Sequence, residues 1–201
     1  MNNQATIEKL KQMRLHGMAR AFQSSMEDGV KNKFTADELL AHLIDAEYDE
    51  RNNRKLNRLL FNAHFRYQAS FVEIDFNINR NLDKNMMLRF SDGSFIRKAQ
   101  NMIITGPAGV GKSFLASALG HQGCINGFKV LYANSLKLFS QLKQSIADGS
   151  YVKRTKEIQK SELFIMDDFG LQTLDSQNRL SLFEIIEDRH GKRSTIIVSQ
   201  L

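Results

Sequence analysis

Gly106-Pro107-Ala108-Gly109-Val110-Gly111-Lys112-Ser113 has the residue types and order needed to hold a nucleoside triphosphate such as ATP. Glycines let successive backbone N–H groups turn toward one anion, and a helix opening behind them adds the positive end of its dipole. Lys112 is long enough to reach the β- and γ-phosphates, and the Ser113 hydroxyl is a ligand for Mg²⁺. All eight residues are assigned to the nucleotide. Lys112 also counts as catalytic, since it stabilises the phosphate that is transferred.

A second element carries the other half of this chemistry. Leu163-Phe164-Ile165-Met166-Asp167-Asp168 is an apolar run ending in two acids, about 55 residues beyond the glycine loop. Open α/β sheets bind ligands at the carboxyl ends of their strands, so both acids are delivered to the phosphates. Asp167 is the expected Mg²⁺ partner beside Ser113. Asp168 is expected to polarise the attacking water. A third candidate is Gln200, after the apolar run Thr195-Ile196-Ile197-Val198, whose amide could meet the γ-phosphate or the water. A polar strand end with no role reads the same locally.

These residues must be positioned by alternating strands and helices. Met102-Ile103-Ile104-Thr105 leads into the loop as a strand, and residues 113–119 leave it with helical spacing. Strands follow over 129–133, 163–168 and 195–198, with helices over 135–147, 150–159 and 176–188 between them. The last helix carries Leu180, Phe183 and Ile186. That alternation predicts an α/β fold with a parallel sheet covered by helices on both faces. Ahead of it, residues 4–27 read as one helix with a stop at Asp28-Gly29. Thr35-Ala36-Asp37-Glu38 is a capping box opening a longer helix toward Phe65. Its first half is expected to bury Ala36, Leu39, Leu40, Leu43 and Ile44, and its second half Leu56, Leu59, Leu60 and Ala63. Arg51, Arg54, Lys55 and Arg58 form a basic stripe opposite, open to DNA, a neighbouring subunit or another protein. Short helices are expected over 82–89 and 93–98. The organisation is thus a helical unit over 1–66, a helical connector over 67–99 and a nucleotide core over 100–201.

The 201 residues carry 42% hydrophobic and 25% charged side chains, ordinary for a soluble globular chain. No apolar run approaches the roughly 20 residues of a membrane helix, and no signal-peptide core begins the sequence. Cys124 is the single cysteine, which rules out an intramolecular disulfide and points to a reduced, cytoplasmic setting. A net charge of +6 leans toward nucleic acid. No N-K-x-D guanine motif and no L-S-G-G-Q transporter motif occurs. A small-molecule kinase has less need of a paired-acid strand.

The basic N-terminal helices, G-P-A-G-V-G-K-S, L-F-I-M-D-D-F-G and T-I-I-V-S-Q together resemble the IstB-type ATPases. These are AAA+ proteins akin to the DnaC helicase loaders and DnaA initiators, encoded by insertion sequences as transposition helpers. The resemblance runs from Ile7 to Gln200 and includes Leu15-His16-Gly17-Met18 and Asp168-Phe169-Gly170-Leu171. It implies a sheet in which the 195–198 strand is inserted between the loop strand and the acid strand. It further implies an ATPase that binds duplex DNA, forms homo-oligomers, remodels target DNA and recruits the transposase of its element. A DnaC-like loader acting on a replicative helicase is the alternative, and a non-catalytic nucleotide-gated DNA-binding module is a third.

DNA contacts in such proteins are carried partly by helices inserted after the second strand. Lys137, Lys143, Lys153, Arg154, Lys156 and Lys160 lie in that region. Members of the family also continue past the sensor strand with a fifth strand, an arginine finger and a helical lid. With the sequence ending at Leu201, the lid is expected to be absent and hydrolysis impaired; Arg189 and Arg193 are the arginines that could stand in for the finger.

Overall fold

A computed structural model describes residues 3–27, 34–76 and 82–200. The expected stop at Asp28-Gly29 lies outside them. The chain divides into two compact units, Met1–Asn57 and Arg58–Leu201.

In the first unit, the single helix expected over 4–27 is two helices, α1 (Asn3–Gln12) and α2 (His16–Glu27). The break is a helix C-cap built on Arg14, which takes the left-handed φ of 60°. Leu15 N–H reaches back to the Leu10 carbonyl at 2.9 Å and Arg14 N–H to that of Lys11 at 3.0 Å, which satisfies the last carbonyls of α1. Periodicity alone did not show this, because the same apolar arc continues across the break.

The capping box opens α3 (Ala36–Ala63) as expected: Thr35 N–H donates to Glu38 Oε2 at 2.7 Å and Glu38 N–H to Thr35 Oγ1 at 3.3 Å. The burial expected for the first half of α3 is not found. Leu40 is 55% and Ile44 52% exposed, and Leu39 and Leu43 are half-buried. The buried group on this stretch is the carboxylate of Glu47. It accepts from Gly17 N–H at 2.8 Å and Met18 N–H at 3.4 Å at the start of α2, and from Arg51 Nε at 2.7 Å. Gly17 is demanded by this approach, since a Cβ there would lie 2.3 Å from the Ala46 carbonyl oxygen. Arg51 and Arg54 are thereby committed to Glu47 and Glu50, acids one turn earlier on the same helix.

The second unit holds the last turns of α3, a 3₁₀ turn (Phe71–Glu73), α4 (Lys84–Ser91) and α5 (Ser94–Arg97), then the sheet and its helices. These are β1 (Met102–Ile104), α6 (Lys112–Ile125), β2 (Val130–Asn134), α7 (Ser135–Ala147), α8 (Tyr151–Lys160), β3 (Leu163–Phe169), α9 (Ser176–Arg189) and β4 (Ser194–Ser199). The four strands are all parallel, in the order β1-β4-β3-β2. The last strand of the sequence is thus inserted between the loop strand and the acid strand, as expected.

Residues Leu163 to Asp167 of β3 are fully buried, because helices cover both faces. Phe164 and Met166 pack with Leu138, Phe139 and Leu142 of α7, Ile158 of α8 and Ile185 of α9. Ile165 points the other way, so close to α6 that a Cβ on Gly120 would lie 2.7 Å from its Cδ1. Burying each such side chain contributes about 1.5–3 kcal/mol, and the two-sided packing fixes where β3 ends. On α9 the apolar residues singled out in the sequence face outward: Leu180 is 70% and Phe183 67% exposed. Its inner face is Ser181, Ile185 and Arg189.

Candidate functional site

The loop between β1 and α6 lies at the carboxyl ends of the strands. Gly109 and Gly111 have φ of 81° and 88°, a region closed to most L side chains. Gly111 is the N-cap of α6 and supplies no side-chain acceptor, so the first N–H groups of a 14-residue helix have no side-chain cap. They open into a cleft of about 280 Å³ lined by Ala108, Gly109, Gly111, Lys112, Ser113, Asp168 and Gln200. Lys112 Nζ curls into the loop and donates to the Gly106 and Pro107 carbonyls, each at 2.7 Å. Val110 turns away toward an apolar groove beside β1. Uncapped amides, a lysine and a hydroxyl converging on one cleft fit a triphosphate.

Asp167 lies beneath that cleft, fully buried. Ser113 Oγ donates to its Oδ1 at 3.0 Å, and Tyr132 Oη donates to its Oδ2. Burial first, then this hydrogen bond, push the Tyr132 phenol well above its ordinary pKa, so it stays a donor. Among the described residues no three His, Cys, Asp or Glu side chains converge as a metal cage. Ser113 with Asp167 is a sparse oxygen pair, which fits Mg²⁺, an ion that keeps waters and takes phosphate oxygens.

Asp168 is aimed by a bulge. Met166 pairs with Ile197 and Phe169 with Ser199, so Asp167 and Asp168 together oppose the single residue Val198. Asp168 takes φ of 57°, with its N–H donating to Asp167 Oδ1 at 2.8 Å. Its carboxylate therefore leaves the ladder and enters the cleft. Asn134 Nδ2 donates to Asp168 Oδ2 at 2.8 Å, and Arg66 Nη1 donates to the same oxygen at 3.0 Å. Sequence reasoning assigned no role to Tyr132, Asn134 or Arg66. Tyr132 and Asn134 could have been found from the strand pairing, which sets Asn134 opposite Asp167. Arg66 lies 102 residues from its partner and gave no local signal.

Arg189 is excluded as an arginine finger for its own cleft. It is 1% exposed and lies at the opposite, amino ends of β3 and β4. There it donates to the carbonyls of Ile158 at 2.6 Å and Ser161 at 2.9 Å, to Thr195 Oγ1 at 3.0 Å, and to the Ser194 carbonyl. Arg193 is at that same end, 3.9 Å from Glu162.

The basic residues of α7 and α8 separate into groups. Lys153, Lys156 and Lys160 share one face of α8 and line a groove of about 1080 Å³ with Lys129 and Arg58. Lys137 and Arg154 line a neighbouring cavity that also touches Asp168. Lys143 is tied to Asp175 at 3.3 Å.

The fold is similar to that of solved structures. The DnaC helicase loader superposes with a TM-score of 0.52 at 25% identity, covering 61% of this chain and 72% of that one. DnaI gives 0.54 at 23% identity over 72% and 75%, and AMPPCP-bound DnaA from Aquifex aeolicus 0.52 at 17% over 58% and 38%. These place the chain among AAA+ phosphate-loop folds. The sequence model of the family described as IstB-like ATP binding protein matches residues 8–201. The chain belongs to this family. The IstB-like chain is 38% identical, over its whole length and 87% of the relative, to the insertion sequence IS1162 ATP-binding protein of Pseudomonas fluorescens. It is 40% identical, over 98% of itself and 80% of the relative, to the insertion sequence ATP-binding protein y4pL of Sinorhizobium fredii.

Proposed function

We propose that this IstB-like protein is a cytoplasmic ATPase that binds Mg²⁺·ATP, assembles on duplex DNA and assists the transposase of its insertion sequence. The observation that carries the ATPase reading is the junction of loop and acid strand, Ser113 Oγ to Asp167 Oδ1 at 3.0 Å. Ser113 and Asp167 would hold Mg²⁺, which would supply neutralisation of phosphate charge. The amides of residues 109–113 hold and orient the phosphates. Lys112 moves its ammonium from its own loop carbonyls onto the β- and γ-oxygens. Asp168, held at the cleft by Asn134, accepts the proton of the attacking water or orients it. Gln200 faces the same space and is positioned to hydrogen-bond the γ-phosphate or that water.

The transposition reading rests on the insertion-sequence relatives, and the DNA reading on the Lys153, Lys156 and Lys160 groove. Among the described residues no helix is long and apolar enough to cross a membrane. The DnaC resemblance at 25% identity favours a helicase loader as the second reading.

Two experiments test this. Lys112→Ala should abolish binding of a fluorescent ATP analogue; retained affinity would remove the loop from nucleotide binding. Fluorescence anisotropy with labelled duplex and single-stranded DNA, with and without a non-hydrolysable ATP analogue, separates the roles. Tighter duplex binding with the analogue supports the transposition helper, and single-strand preference supports the loader.

A further inference from the structure

Arg66 follows α3 directly, yet it reaches the acids at the end of β3. Its Nη1 is 3.0 Å from Asp168 Oδ2 and 3.8 Å from Asp167 Oδ2. The guanidinium carbon is 5.4 Å from the ring centre of Tyr67, which supports it from the adjacent position. Arg66 and Tyr67 also line the cleft that holds Gly109, Lys112, Ser113 and Gln200. One guanidinium, half exposed, therefore faces both the acid pair and the space assigned to phosphates.

We infer that Arg66 competes with a divalent cation for the Asp167–Asp168 pair, and that the displaced guanidinium turns to the phosphate side of the same cleft. The inference rests on the nucleotide reading of this site. Two adjacent carboxylates, one of them fully buried, need positive charge nearby. Arg66 and a divalent ion can each supply it. A divalent ion held by Ser113 and Asp167 would put two positive charges close to the guanidinium, so each weakens the binding of the other. Coupling of that kind is reciprocal: Mg²⁺ weakens the Arg66–carboxylate pairing by the same factor by which that pairing weakens Mg²⁺. Arginine suits the exchange because its planar fork serves carboxylate and phosphate alike. The exchange couples the segment after α3 to occupancy of the cleft, through a side chain that changes partner without a change of fold.

The test is a Mg²⁺ titration of fluorescent ATP-analogue binding to the full chain, with the wild type, Arg66→Gln and Arg66→Lys. In Arg66→Gln the Mg²⁺ midpoint should fall about fivefold or more, the low end of typical site-to-site coupling. Preference for the ATP analogue over the ADP analogue at saturating Mg²⁺ should fall as well. Arg66→Lys, which keeps the charge, should return the midpoint toward the wild-type value. An Arg66 that only braces the fold would lower thermal stability and leave the midpoint where it was; an unchanged or raised midpoint overturns the inference. If Arg66→Gln does not fold, a wild-type midpoint in Arg66→Lys at weakened ATP preference supports it, and full wild-type behaviour of both quantities overturns it. Failure of the wild type to bind either analogue would instead overturn the nucleotide reading and this inference with it.

Discussion

Asn134 holds Asp168 with one end of its amide and caps a helix with the other. Its Nδ2 donates to Asp168 Oδ2 at 2.8 Å, and its Oδ1 accepts from Lys137 N–H at 3.3 Å in the first turn of α7. The side chain that starts the α7–α8 region also aims the acid assigned to water. Asn134→Ala should cost about 1 kcal/mol of stability through removal of the cap. It should lower ATP turnover about tenfold, part of the roughly 10²–10⁴-fold that a positioned base contributes, and leave the affinity for a non-hydrolysable analogue unchanged. Asp168→Asn should give the same split with a larger loss of turnover. Steady-state hydrolysis beside analogue binding checks both; equal turnover in variant and wild type would take Asn134 out of the chemistry.

Glu47 gives the first unit a pH dependence. Burial alone would raise its pKa, but the hydrogen bonds from Arg51, Met18 and Gly17 outweigh it and hold the carboxyl below 4.5. A carboxyl depressed in the folded state stabilises above its unfolded pKa and loses that contribution as pH falls through the folded one. Glu47→Gln should therefore cost about 2 kcal/mol at neutral pH, the scale of a hydrogen-bonded charge. The gap to wild type should close below about pH 4.5. Urea unfolding followed by helical circular dichroism across pH 3 to 7 would show it, and a gap independent of pH would contradict it.

Arg189 is a structural cation. Burial first, then the nearby charge of Arg193, lower its pKa to about 10, still well above neutral pH. Removing the guanidinium takes a buried donor from the carbonyls of Ser161 and Ser194, while the Ile158 carbonyl keeps Ser161 N–H at 3.2 Å and Ser161 Oγ at 2.7 Å. Arg189→Met should destabilise by about 3 kcal/mol or more, since each buried unsatisfied group costs about 1–3. Thermal unfolding reads this directly. A near-wild-type midpoint would mean that the site re-forms around water.

The face shared by Lys153, Lys156 and Lys160 predicts salt-dependent DNA binding. Converting the three to Gln should weaken duplex binding for every sequence tested alike. The slope of log affinity against log salt should shrink by about 0.9 for each phosphate no longer neutralised. Converting Lys143, already paired with Asp175, should change neither. Anisotropy titrations at several salt concentrations separate the two variants.

Local chemistry was legible in the sequence wherever one segment completes it. The glycine loop carries its own turn, cation and helix start. The capping box at Thr35 and Glu38 closes within four residues, and the unbroken apolar run of β3 announces a strand buried on both faces. Asp167 and Asp168 were readable because they end that run. Tertiary structure decided what depends on pairing between distant segments. The bulge opposite Val198 turns Asp168 into the cleft, and Arg66 meets it across 102 residues. Glu47, Leu40 and Ile44 share a helix whose periodicity reads apolar, yet the carboxylate is buried and the leucine and isoleucine are exposed. Periodicity reports which residues share a face. It does not report what another segment brings to that face, and here two backbone N–H groups at the start of α2 required an acid there.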